Sequence, residues 1–107
     1  MKKLFFLFSL LPFLTQSQSW TTSSNFIGDG RHHPITFSND NYGFVVSGSY
    51  LNDVFKYDKL NDTWTQLQDF PGQGRGYGYA VSIGNDAYVG FGSTDNGQFP
   101  TNWWKYD

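Results

Sequence analysis

Two arginines carry the first chemical signal in this chain. Arg31 and Arg75 stand 44 positions apart, and each follows a Gly-x-Gly turn, Gly28-Asp29-Gly30 and Gly72-Gln73-Gly74. A guanidinium presents a planar fork of donors, so a pair of them on one face could grip a carboxylate or phosphate. The same fork could instead bond the carbonyls of the turn beside it, once in every copy of a repeat. His32-His33 suggests a metal, but neighbours on a strand point to opposite faces, so the expectation is no metal site. Gly72, Gly74, Gly76 and Gly78 alternate without forming a dinucleotide fingerprint, which needs a helix after it. Asn61-Asp62-Thr63 fits a glycosylation sequon inside a stretch that also reads as a tight turn. No Ser/His/Asp set, paired carboxylates or Cys nucleophile can be assigned, and the cysteine count is zero.

The arginines belong to a larger self-similarity. Trp20-Thr21 returns as Trp64-Thr65, and Phe26 to Arg31 returns as Phe70 to Arg75, all at an offset of 44. The offset persists through Ser38 and Ser82, Val45 and Val89, and Gly48-Ser49 and Gly92-Ser93. Lys56-Tyr57-Asp58 then recurs as Lys105-Tyr106-Asp107 at an offset of 49, so five extra residues lie between Ser93 and Asn102. Within the first copy, strands are expected at 33–37, 42–46, 54–57 and 63–67, separated by turn-forming Asn, Asp, Gly and Ser. Four short strands in a period of about 44 residues are the signature of a propeller blade.

Composition points the same way. The chain has 107 residues, aromatic residues make up 21%, all nine acidic residues are Asp, and Ala80 and Ala87 are the only alanines. Strand and turn formers therefore dominate over helix formers, and the expected class is all-β. Met1-Lys2-Lys3, the apolar run Leu4 to Leu14 and the small residues Thr15 and Ser17 read as a signal peptide over 1–17. The run covers about half the length needed to cross a bilayer. The expected destination is secreted, periplasmic or cell-surface, with no membrane insertion. Beyond the leader five cations face nine Asp residues and form no run, which argues against nucleic acid.

The run Val54-Phe55-Lys56-Tyr57-Asp58, then Thr63-Trp64, with Gly48 and Gly92 closing the second strands, resembles the kelch repeat. Where kelch repeats usually have a pair of glycines, Ser47-Gly48 and Phe91-Gly92 keep one of the two. The resemblance implies kelch-like propeller blades, about two of them, in an incomplete propeller. The expected division is an outer strand and inter-blade loop at 18–30, a first blade at 31–74 and a second at 75–107 lacking its last strand. It implies further blades in the same chain, as part of a longer protein, or a homo-oligomer in which the Trp20 strand completes a neighbouring blade.

Structural roles are expected for Trp20, Trp64, Tyr57, Asp58, Tyr106, Gly48 and Gly92, with the aromatics, Phe44 and Tyr88 wedged between blades. One face should carry Gly28 to Arg31, Gly72 to Arg75, Ser49 to Asn52 and the long Thr94 to Thr101 loop. Candidate ligand-binding residues there are Arg31, Arg75, His32, Tyr77, Asn96, Gln98 and Trp103. The implied function is a non-catalytic module holding a protein or glycan, with no cofactor. The alternative is part of a carbohydrate-active enzyme such as a sugar mutarotase, for which Asp29, Asp95 and the histidines would be the acid or base. An oxidase of the galactose oxidase kind is disfavoured, because its cofactor needs a Cys.

Overall fold

Short runs of β-branched and aromatic residues between turn formers favour strands over helices. The computed structural model describes residues 1–4 and 17–107, and the apolar run of the expected signal peptide lies largely outside the described residues. Strands β1 (Ile35–Ser38), β2 (Tyr42–Val46), β3 (Val54–Asp58) and β4 (Thr63–Gln66) form one antiparallel sheet in chain order. Strands β5 (Tyr79–Ile83), β6 (Asp86–Gly90) and β7 (Trp103–Tyr106) form a second, three-stranded sheet. The fold is all-β, built from two propeller-type blades. Among the described residues no helix is long and apolar enough to cross a membrane.

Pairing register repeats with the sequence. Ile35 opposes Val46 and Val46 opposes Val54 in the first blade; Tyr79 opposes Gly90 and Gly90 opposes Trp103 in the second. These are the positions related by 44 and 49, so the extra residues are absorbed between β6 and β7 without shifting the ladder. The first strand starts at Ile35 rather than the expected 33, because His33 has φ +49° and leaves the extended region.

Side chains alternate across each sheet, so each blade has two faces. Ile35, Phe37, Phe44, Val46 and Val54 share the face that meets the second blade. The core consists of Ile35, Val46, Val54, Phe70 and Val89, with Phe37, Leu67, Ala80 and Trp104 packed around it. Phe37 stacks on Phe44 at 4.6 Å, and Tyr106 closes on both rings at 5.7 and 5.3 Å. The corresponding face of the second blade carries Tyr79, Val81, Ile83 and Trp103, all exposed.

The N-terminal segment departs from expectation. Trp20-Thr21-Thr22 forms no strand, and Trp20 is 101% exposed. Contacts come instead from the residues that follow it. Ser24 donates its amide to both carboxylate oxygens of Asp62 at 2.9 and 3.1 Å, and the Ser23 hydroxyl donates to Asp62 Oδ1 at 2.5 Å. Phe26 meets Phe55 and Trp64 edge-on at 4.8 and 5.0 Å. Trp64 and Tyr57 thus lie on the side of the first blade away from the second, under this segment, rather than in the seam between the two blades.

Candidate functional site

The inter-blade turns end on the two arginines, and both guanidinium groups are taken up by the fold. Arg31 Nε donates to the Asp29 carbonyl at 3.1 Å, and Nη1 donates to the Ser47 carbonyl at 3.0 Å. Nη1 and Nη2 also grip the Asp53 carboxylate at 2.6 and 3.0 Å, a two-pronged ion pair. Arg75 repeats this frame: Nε donates to the Gln73 carbonyl at 3.0 Å and Nη1 to the Phe91 carbonyl at 3.2 Å. At the position matching Asp53 stands Asn102, whose Oδ1 accepts from Nη1 at 3.0 Å, while buried Nη2 has no partner. Each guanidinium also lies about 5 Å from a phenylalanine ring, Phe26 or Phe70, as its charge favours. Burial pulls the Arg75 pKa below its ordinary value.

The reading of Arg31 and Arg75 as ligand-binding cations is therefore corrected. Arg75 is 0% exposed and the Arg31 side chain 4%, so each is sheltered and bonded to its own blade.

Ser47 joins the blades. Its backbone is left-handed at φ +58°, as is Phe91 at +60°, the two positions where the kelch pattern carries the first of its paired glycines. In this region a non-glycine residue costs about 1–2 kcal/mol. For Ser47 hydrogen bonds offset the cost: Arg75 N donates to Oγ at 2.8 Å, and Oγ approaches the carbonyls of Arg75, also at 2.8 Å, and Leu51. Gly48 N also donates to the Arg75 carbonyl at 2.8 Å, and Phe70 N donates to the Asn52 carbonyl at 2.7 Å. Gly48 and Gly92 have φ +91° and +85°, and a Cβ there would lie 2.8 Å from Pro34 Cα or 2.3 Å from the Gly76 carbonyl oxygen. Both glycines are thus required by backbone conformation and by close approach.

The long loop between β6 and β7 builds an open cleft of about 550 Å³ lined by Tyr77, Phe91, Gly92, Ser93, Phe99, Pro100 and Thr101. Tyr77, Phe91 and Phe99 are exposed, and Trp103 supports Phe91 with ring centroids 4.8 Å apart. Tyr77 stacks on His33 at 3.8 Å, which ties the cleft to the seam between blades. Of the predicted ligand residues, Tyr77 lines this cleft and Trp103 stands behind it. Asn96 and Gln98 belong to the turn at its rim, where the Thr94 hydroxyl donates to Asn96 Oδ1 and the Gln98 carbonyl accepts from Thr94 N at 3.0 Å. His32 lies at the seam, its Nδ1 only 2.9 Å from that of His33. The expectation that these two rings diverge is corrected: both precede β1, and left-handed His33 swings its ring toward His32. Phe91 and Phe99 also line the cleft although they stand outside those candidates; the sequence features that mark them are one absent glycine and a five-residue insertion.

The opposite end of the first blade has a polar clasp. Asp62 is held well below the usual carboxylate range by the Ser23 hydroxyl, then by the Ser24 amide and the Tyr57 hydroxyl. For Tyr57 the Ser23 bond lowers the pKa, but the bond to Asp62 and the nearby carboxylates outweigh it and the net direction is upward. Asp58 closes the β3–β4 turn by accepting from the Leu60 amide at 2.9 Å and the Asn61 side chain at 2.8 Å, which lowers its own pKa. That bond also occupies the Asn61 amide group of the sequon.

A four-stranded and a three-stranded antiparallel sheet in matching register, with the glycine turns and arginine braces between them, are consistent with kelch-like blades. Residues 42–71 match the family model of the Kelch motif, a span covering β2 to β4 and the turn that leads to the second blade. No curated protein matches the chain. Among the described residues there is no group of three or more His, Cys, Asp or Glu that could hold a metal ion.

Proposed function

We propose that this chain acts as an exported, non-catalytic binding module whose loop-face cleft holds an apolar segment of a protein partner. The observation that carries this reading is Phe91. It keeps a left-handed backbone at φ +60° and remains 46% exposed, and its side chain has no hydroxyl to replace the bonds that compensate Ser47. Strain retained in an exposed aromatic residue is a mark of a site rather than of packing. Tyr77 adds a second exposed ring with φ +61°, and Phe99 and Pro100 complete an apolar wall on the inserted loop. Export rests on the basic start and apolar run of residues 1–14. A glycan is the second reading, favoured by the polar side chains of Asn96 and Gln98 at the rim of an aromatic cleft.

Selection from a displayed random-peptide library, run beside a glycan array, tests the proposal. Apolar or aromatic peptides are expected to bind, to weaken about tenfold or more with Phe99→Ser, and to be unaffected by Tyr79→Ser on another face. Glycan binding without peptide binding would replace the first reading by the second. Loss of neither ligand with Phe99→Ser would remove the cleft as the site.

A further inference from the structure

We propose that His32 and His33 form a chelating site for a divalent transition-metal ion of the nickel or copper type, at the seam between the blades. The argument begins with the distance between their Nδ1 atoms, 2.9 Å. Imidazole–metal bonds of about 2.0–2.1 Å to two nitrogens so placed subtend an angle of about 90°. That is the cis angle of square-planar and octahedral coordination, whereas a tetrahedral zinc ion would want the nitrogens about 3.3 Å apart.

Several contacts hold the two residues side by side before any ion arrives. The His32 amide donates to Ser49 Oγ at 3.0 Å, and its carbonyl accepts from the Ser49 amide at 3.0 Å, so this residue is pinned on both sides. His33 is turned by its φ of +49° and backed by Tyr77, whose ring lies 3.8 Å away and 24° from parallel. Both histidines are exposed, so water or a partner's donor atom can fill the remaining positions. No third His, Cys, Asp or Glu joins them among the described residues, which makes the site an open two-nitrogen chelate.

The free pair is held by a hydrogen bond in which one Nδ1–H donates to the other Nδ1. An ion replaces that proton as the bridging group. The donor ring moves its proton to Nε2, both rings stay neutral, and each contributes one Nδ1 lone pair to the metal. The protein loses one internal hydrogen bond and gains two coordination bonds.

Calorimetric titration of the intact chain with nickel(II), alongside nitrogen NMR of the imidazoles, tests the site. One ion per chain is expected, with the Nδ1 resonances of both rings broadened or shifted by the paramagnetic ion. His32→Gln removes a ligand from an exposed position and is expected to weaken binding about tenfold or more, as a chelate becomes a single contact. His33→Gln should do the same if circular dichroism remains unchanged, and Ser49→Ala, which frees the His32 backbone, should weaken binding less. Nickel bound equally well by His32→Gln and the unaltered chain would overturn the proposal. So would binding that leaves the Nδ1 resonances of both histidines unmoved.

Discussion

The Arg31 and Arg75 braces share a backbone frame and differ in what completes it. Arg31 meets a carboxylate, so its charge is balanced and both terminal nitrogens are bonded to Asp53. Arg75 meets the amide of Asn102, keeps an unpaired Nη2 and is buried more deeply. Carbonyls at the turn and at the end of β6 still hold it, showing that the brace works through backbone acceptors first and the ion pair second. The same contrast recurs one residue before each glycine: Ser47 turns its strain into a seam, whereas Phe91 leaves it exposed.

The largest expected effect comes from deleting the brace itself. Arg75→Ala leaves the Gln73 and Phe91 carbonyls without their buried donor and is expected to cost about 3 kcal/mol or more in urea unfolding. A loss below about 1 kcal/mol would show that the frame stands without it. Ser47→Ala should follow at about 2 kcal/mol, because the buried Arg75 amide loses its acceptor while the left-handed strain remains. Equal stability of this variant and the parent would mean that the seam is held by packing alone.

Restoring symmetry should then stabilise the second brace. Asn102→Asp gives Arg75 a counter-charge and Nη2 an acceptor, for an expected gain of about 1 kcal/mol at neutral pH. The pair would lower the new carboxyl's pKa, so the gain is present above the unfolded value and disappears as acidification protonates it. Phe91→Gly relieves backbone strain and is expected to raise stability by about 1 kcal/mol while weakening partner binding. Stability and binding rising together would separate the strain from the site.

The smallest expected change is local. Because the Asp62 pKa is lowered from 3.8, its clasp on Ser23 and Ser24 is fully present above about pH 4 and is lost as pH falls through the lowered folded value. Amide exchange at Ser24 should accelerate in that acidic window before exchange in β2. Simultaneous acceleration would mean that the clasp and the blade open as one unit.

Much of the fold was legible because it is written twice. The offset of 44, the shift to 49 and the absence of helix formers place the strands, and the structure moves the first boundary by two residues. Arginine chemistry was not decided by sequence, since a guanidinium that binds a ligand and one that bonds its own turn use the same residue and the same repeat. Asp53 and Asn102 would have separated these readings, but their pairing emerges only after the insertion is subtracted. Strand alternation does not govern the histidines, because both stand before β1 and His33 is left-handed. Trp20 does not share the surroundings of Trp64 despite the repeat, because the clasp at Ser23 and Ser24 positions the segment.

The enlarged connection between β6 and β7 has one further consequence. Since β6 and β7 keep the pairing of their counterparts despite five added residues, this hairpin end tolerates changes of length that the ladder never feels. It is the natural place to splice foreign peptides into the scaffold, where the graft could vary freely while the blade beneath it stays the same.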